Sequence, residues 1–179
     1  MARDPKIEHS KKMSWLLRHG AASQGLTMDA AGWVEIAAVQ RALGLSREQL
    51  DAVVRDNSKA RFEVDGSRIR ATQGHSTAPG AVSLDALEAS WARYDDAGPL
   101  WHGTNIAAVP GIAREGILPV TRTHVHLAAA VDSQVGKRAN VAVLLEVAVE
   151  GLRAAGLGIF VSPNGVILVR RVPVDCVVA

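Results

Sequence analysis

Arg61-Phe62-Glu63-Val64-Asp65-Gly66-Ser67-Arg68-Ile69-Arg70 alternates in character on both sides of Asp65-Gly66. An Asp-Gly pair between two alternating runs signals a hairpin, because the tight turn needs backbone angles that these two residues tolerate. Outward from it toward the N-terminus, the pattern changes to helical spacing. Ser10 is placed to cap a helix through Met13, Leu16 and Leu17 that Gly20 and Gly25 end. Asp29-Ala30-Ala31-Gly32 reads as a turn and Trp33-Val34 as a short extended entry. Ile36, Val39 and Leu43 form a second stripe, stopped by Gly44. Ser46 with Gln49 is a capping box for a third helix carrying Leu50, Val53 and Val54.

Three short helices followed by a hairpin is the order of a winged helix, a layout common among nucleic-acid binders, although a fold does not by itself assign a function. Outward in the other direction, the Gly, Ser and Pro residues from Gln73 to Gly80 mark a linker, and a short helix is predicted around Leu84–Tyr94. The second half is richer in strand signals. Leu100-Trp101 leads into His102-Gly103-Thr104, and a helix from Asn105 or Ile106 ends at Gly116. Val125 and Leu127 face one side of a short strand, with His124 and His126 on the other. Val141–Val149 is predicted as a long central strand. Gly158–Val161 and Val166–Val169 flank a turn at Ser162-Pro163-Asn164-Gly165, and Val172–Val178 adds a final strand. The expected class is α+β, with a winged-helix lobe over 1–75, a linker over 76–98 and a sheet-rich lobe over 99–179.

The chain has 179 residues, of which 48% are hydrophobic, enough for a real core and too many for a disordered chain. Glu146 interrupts Val141–Val149, which falls well short of a membrane span, and no apolar stretch of signal-peptide length follows Met1. The lone cysteine, Cys176, excludes a disulfide framework and leaves a multi-thiolate zinc site nearly impossible. A soluble cytoplasmic protein with no membrane partner is expected. Net charge is only +2: residues 1–75 are net +3, 76–100 net −3 and 101–179 net +2. A polyanionic partner would therefore need a local patch rather than a global field.

The residues that can carry chemistry are mostly basic. Arg18-His19 ends the first helix, where the macrodipole favours bases; the same pair also offers a guanidinium fork and a second donor to an anion. Lys59 and Arg61 precede the hairpin, and Arg68 and Arg70 share one face of its return strand. A solvated charged face and a phosphate-bearing partner explain these equally well. Gln73-Gly74-His75-Ser76 offers an amide, a flexible backbone, an imidazole and a hydroxyl in succession. Gly103 lets a ligand approach the backbone beside His102. His124 and His126 lie about 7 Å apart by strand rise, but no third group has metal-ligand spacing, so no metal is expected. Gly136-Lys137-Arg138 is a further basic pair after a turn. The chain lacks a P-loop, a Rossmann fingerprint, a G-x-S-x-G elbow and a close carboxylate pair. A site of Arg, His and Lys binds and stabilises anions, and it suits a reaction whose nucleophile is the substrate's own phosphate.

These stretches, taken in order, resemble the RNA 2′-phosphotransferase family, called Tpt1 in fungi and KptA in bacteria. The resemblance rests on Ser14-Trp15-Leu16-Leu17-Arg18-His19, Gly25-Leu26-Thr27-Met28-Asp29 with Gly32-Trp33-Val34, Lys59-Ala60-Arg61-Phe62 and Ile69-Arg70-Ala71-Thr72-Gln73-Gly74-His75-Ser76. It continues through Leu100-Trp101-His102-Gly103-Thr104, Arg122-Thr123-His124-Val125-His126-Leu127, Val135-Gly136-Lys137-Arg138 and Asn164-Gly165-Val166. Trp101 stands where an aromatic such as Tyr is usual in the family, and Ile167 where Trp is common.

The resemblance implies a winged-helix lobe followed by an ADP-ribosyltransferase-like lobe. It implies removal of an internal 2′-phosphate from RNA, with NAD⁺ consumed as co-substrate. The 2′-phosphate displaces nicotinamide to give an ADP-ribosylated RNA; the ribose 2″-hydroxyl then attacks the phosphorus, releasing 2′-OH RNA and ADP-ribose 1″,2″-cyclic phosphate. The family's catalytic group falls on Arg18, His19, Arg61 and Arg138, with the three arginines expected to converge on one cleft. His102, Gly103, Thr104, His126, Asn164, Gly165 and Val166 are expected around NAD⁺, and Lys59, Arg68, Arg70, Gln73 and His75 around the RNA. A monomer is expected. The rival readings are an ADP-ribosyltransferase acting on terminal phosphates or small molecules, and a winged-helix binder with an inert second lobe.

Overall fold

The computed structural model describes residues 5–77, 82–133, 135–136 and 141–178. It is an α+β chain in two compact units, Met1–Ser90 and Trp91–Ala179. The division falls inside the stretch 76–98 that the sequence assigns to a linker. That stretch holds helix α4 (Leu84–Ala89), capped by Ser83, and strand β4 (Ala92–Arg93).

The first unit opens with α1 (Pro5–Trp15). Pro5 heads the helix, where a missing N–H costs nothing, so Ser10 lies inside α1 rather than capping it. The helix runs on into a π-helical turn, Leu16–Gly20, and a 3₁₀ turn, Ala22–Gln24, closed by Gly25 in the left-handed region. Helices α2 (Ile36–Leu43) and α3 (Arg47–Arg55) follow. The Ser46–Gln49 capping box is formed in both directions. β2 (Phe62–Asp65) and β3 (Arg68–Ala71) make the predicted hairpin, and β1 (Val34–Glu35) pairs with β3 to give the order β1-β3-β2. Met13, Leu16, Leu17, Val34, Val39, Leu50 and Ile69 form the core beneath.

The second unit has two antiparallel sheets. One is ordered β10-β7-β5: Val177–Val178, Val143–Val147 and Leu100–Thr104. The other is ordered β4-β8-β9-β6, with β8 Ile159–Val161, β9 Ile167–Val169 and β6 Val125–Leu127. Reciprocal hydrogen bonds between Trp101 and Ala128 join β5 to the end of β6. Leu100, Leu127, Val147, Leu152, Ile167 and Val169 fill the core.

Three expectations need correction here. β7 is the middle strand of its sheet but stops at Val147, and Val149 opens helix α6 (Val149–Ala154). A continuous apolar run does not reveal where a strand gives way to a helix. The final strand is only Val177–Val178, because Pro173 has no N–H to offer a ladder and a 3₁₀ turn fills Val174–Cys176. The helix predicted to reach Tyr94 ends at Ala89.

The return strand of the hairpin also separates two arginines that look alike in sequence. Both guanidinium groups lie over the Trp33 ring, at 5.2 Å for Arg68 and 4.6 Å for Arg70. Arg70 is buried, paired to Glu63 at 2.7 Å, and donates to the Ala31 carbonyl and to Ser90 Oγ. Arg68 is much more exposed, between Asp65 and Asp29. Arg70→Ala should therefore destabilise the first unit by about 3 kcal/mol, because it strands a partly desolvated carboxylate. Arg68→Ala should cost under about 1 kcal/mol. Urea unfolding of the two variants checks the contrast; equal losses would contradict it.

Candidate active site

A pocket of about 590 Å³ opens in the first unit between α1 with its π-helical extension and the loop from α3 to β2. Arg18 and Arg61 both line it. They are 43 residues apart in sequence, and the α1–α3 packing brings them to one place.

Arg18 sits in the π-helical turn, half-buried. Its carbonyl accepts from Ser76 N at 3.0 Å and from Ser76 Oγ at 3.3 Å. The chain reaches this position through Gly74, whose φ of +85° lies in glycine's region. A Cβ there would stand 3.3 Å from Arg18 Nε. The Gln73–Ser76 stretch is thus a strap across the end of the first helix. His19, next along the turn, is exposed.

Arg61 is positioned by Asn57, a residue to which the sequence assigns no role. Asn57 Oδ1 accepts from Lys59 N at 3.3 Å, Arg61 N at 3.4 Å and Arg61 Nη1 at 3.3 Å. Its Nδ2 donates to Ser10 Oγ on α1 at 2.9 Å. Its carbonyl accepts from Ala60 N at 2.8 Å, closing a turn in which Ala60 has φ +41°. The only signal in the sequence is an Asn-Ser pair between helix and strand, which reads as turn chemistry alone. Asp56, also at the pocket, is held below the usual carboxylate range, first by its hydrogen bond from Lys6 and then by that from Arg55.

The other residues expected to meet RNA divide by burial. Lys59 is half-buried beside Arg61. Arg68 is partly exposed but flanked by two carboxylates. Arg70 is buried and engaged by Glu63, the Ala31 carbonyl and Ser90. Gln73 and His75 are 7% and 1% exposed, with the His75 ring lying against Gly32. Arg138, and Lys137 beside it, lie outside the described residues.

In the second unit, His102, Gly103 and Thr104 lie half-buried on β5, and His102 Nδ1 is 3.1 Å from the His126 carbonyl. His126 Nδ1 is 2.9 Å from Arg122 Nη1. His124 and His126 occupy different surroundings: His124 is buried edge-on against Trp91, ring centroids 5.0 Å apart. The Asn164-Gly165 turn is braced by Ser162, also unforeseen, whose hydroxyl contacts Asn164 Oδ1 at 2.8 Å and the Val166 carbonyl at 3.1 Å. Val166 is buried at the start of the return strand. Gly136 packs so tightly on the Leu127 carbonyl that a Cβ would collide with it. Among the described residues, no three His, Cys, Asp or Glu side chains are grouped to hold a metal ion.

Two arginines on one pocket form a site whose chemistry suits an anion. The family model described as "RNA 2'-phosphotransferase, Tpt1 / KptA family" matches residues 4–171. A Pseudomonas aeruginosa protein named "Probable RNA 2'-phosphotransferase" is 39% identical, with 97% of each chain covered. Proteins of the same name from Pseudomonas syringae pv. tomato and Rhizobium johnstonii are 37% and 36% identical, over 98% and 95% of this chain and 95% and 92% of theirs. The chain belongs to the RNA 2′-phosphotransferase, Tpt1/KptA family.

Asn57→Ala removes an acceptor shared by three N–H groups and should cost about 1–2 kcal/mol in urea unfolding. Asn57→Asp keeps Oδ1, and the Ser10 hydroxyl can donate to the new oxygen, so most of that stability should be retained. A loss as large for Asp as for Ala would mean that Oδ1 is not what orders the turn.

Proposed function

We propose that the protein is an NAD-dependent RNA 2′-phosphotransferase, built from a winged-helix RNA-binding lobe and an ADP-ribosyltransferase-like lobe. The observation that carries the reading is the placing of Arg18 and Arg61 on one pocket, with Arg61 held by an uncharged amide. A guanidinium so held keeps its charge for an incoming phosphate.

Arg18 and Arg61 grip the oxygens of the RNA 2′-phosphate and aim it as a nucleophile. NAD⁺, consumed as co-substrate, supplies an electrophilic anomeric carbon and nicotinamide as leaving group. The second unit's residues suit it. The contact of His102 Nδ1 with a carbonyl selects the tautomer in which Nε2 accepts, as a ribose hydroxyl requires. Gly103 admits a close approach, Thr104 and His126 add polar groups on neighbouring strands, and Asn164, Gly165 and Val166 serve the nicotinamide end. Arg138 is assigned to the phosphate with Arg18 and Arg61. His19, exposed beside Arg18, handles a proton in the second step, in which the 2″-hydroxyl attacks the phosphorus. The leaving group already relieves a positive charge, so no metal is required. We place the protein in the cytoplasm as a monomer; among the described residues no helix is long and apolar enough to cross a membrane.

The second step gathers charge on the non-bridging oxygens, where the removal of a donor costs most. Arg18→Ala should slow that step by about a hundred- to a thousand-fold and the first step less, so that ADP-ribosylated RNA accumulates. A single-turnover course with 5′-labelled 2′-phosphate RNA, resolved on a denaturing gel, reads this directly. Loss of the first step in proportion, with no such species, would remove Arg18 from the second step. Wild-type activity that EDTA abolishes and only added metal restores would refute the metal-free chemistry.

A further inference from the structure

The pocket is far larger than its two arginines need. At about 590 Å³ it has room for many times the volume of a water molecule, which occupies about 30 Å³ in the liquid, whereas one phosphate fills only a few such volumes. The space beyond Arg18 and Arg61 has walls of a particular kind. Lys6, Ser10, Ser14 and Arg18 follow one another at four-residue spacing, so they stack along one face of α1 and its extension. Lys11 lines the same wall, and Asn57 and Ser58 face it from the α3–β2 loop.

The cations of α1 are not equivalent. Lys12 is paired with Glu8 at 2.8 Å, and Lys6 with Asp56 at 2.6 Å. Lys11 is exposed and has no carboxylate partner among the described residues. Ser10 already accepts from Asn57 Nδ2, so its remaining proton is directed elsewhere as a donor. The wall therefore offers one uncompensated ammonium among hydroxyl groups, ahead of the arginine pair. Among the described residues it has no aromatic lining on which a base could stack. This is chemistry for a sugar–phosphate backbone and not for a base.

We propose that the α1 wall centred on Lys11, with Ser10, Ser14 and Ser58, is a second anion subsite that takes a phosphodiester of the RNA strand flanking the 2′-phosphorylated nucleotide. This deepens the reading above and rests on it for the identity of the strand. The subsite makes affinity depend on substrate length and ionic strength while contributing little to the choice of sequence. It also assigns the two ends of the pocket different duties: the arginines hold the reacting phosphate, and Lys11 holds an unreacting one.

The test is fluorescence anisotropy with a labelled single-stranded hexaribonucleotide carrying one internal 2′-phosphate, and competition by a nucleoside 2′-phosphate that has no diester. Lys11→Ala should weaken the hexamer about five-fold more than the nucleoside 2′-phosphate. It should also reduce the slope of log affinity against log salt by about 0.7, the value for one phosphate of a single strand that is no longer neutralised. Lys12→Ala, whose charge Glu8 already offsets, should change the hexamer less than two-fold. Equal losses on the two ligands, an unchanged salt slope, or equal effects of Lys11→Ala and Lys12→Ala would each overturn the subsite. The readout is binding, so it stands apart from turnover. A wild type that holds the hexamer through Lys11 but transfers no phosphate would keep the subsite and reject the proposed reaction.

Discussion

Arg61 is held in place by an amide, and the use of this pocket depends on that choice of partner. A carboxylate would fix a guanidinium more strongly, but it would also occupy the charge. The same unit shows the alternative twice. Arg70 is tied to Glu63 and buried, and Arg68 lies between Asp65 and Asp29. Both have carboxylate partners. Asn57 orders Arg61 with a neutral oxygen and reaches back to α1 through Ser10, so the loop and the helix are set against each other by one side chain. Arg18 is ordered from the opposite direction, through its carbonyl, by a strap that only a glycine at 74 can bring close. A neutral partner holds the Arg61 cation still without neutralising it, which is the condition for stabilising charge that develops during a reaction.

In the second unit, strand pairing sets the neighbouring side chains: the β5 side chain of His102 meets the carbonyl of His126 on β6, and the Trp101–Ala128 bridge fixes the spacing. The Ser162 hydroxyl spans the 162–166 turn and contacts the Asn164 side chain. Gly136 lies against the Leu127 carbonyl at the end of β6.

Much of this was legible in the sequence because it was local. The Asp65-Gly66 hairpin, the Ser46 capping box and the strand–helix–Gly116 succession each follow from short-range backbone chemistry, and each stands in the structure. What was not legible depended on burial. Arg68 and Arg70 differ by one strand period and look alike on paper, yet only the fold decides that Arg70 faces Glu63 and Ser90. The Gln73–Ser76 stretch carries functional-looking groups, and only the fold buries its Gln73 and His75 while Ser76 bonds the Arg18 carbonyl. Asn57 is invisible to local patterning because its role is a tertiary one: it is an ordinary turn residue until Ser10 arrives from forty-seven positions away. Ordered motifs pointed to the family, and packing then sorted their basic residues into those that hold the fold and those that face the pocket.

The central claim concerns the fate of one phosphorus atom. Phosphorus NMR of a 2′-phosphorylated oligoribonucleotide, incubated with the protein and NAD⁺, follows that atom directly. The 2′-phosphomonoester resonance should disappear only when NAD⁺ is present, while a cyclic phosphate resonance grows in equal amount on a small molecule and the RNA is left with a 2′-hydroxyl. A monoester that persists while NAD⁺ is consumed, or a change confined to a terminal phosphate of the RNA, would contradict it.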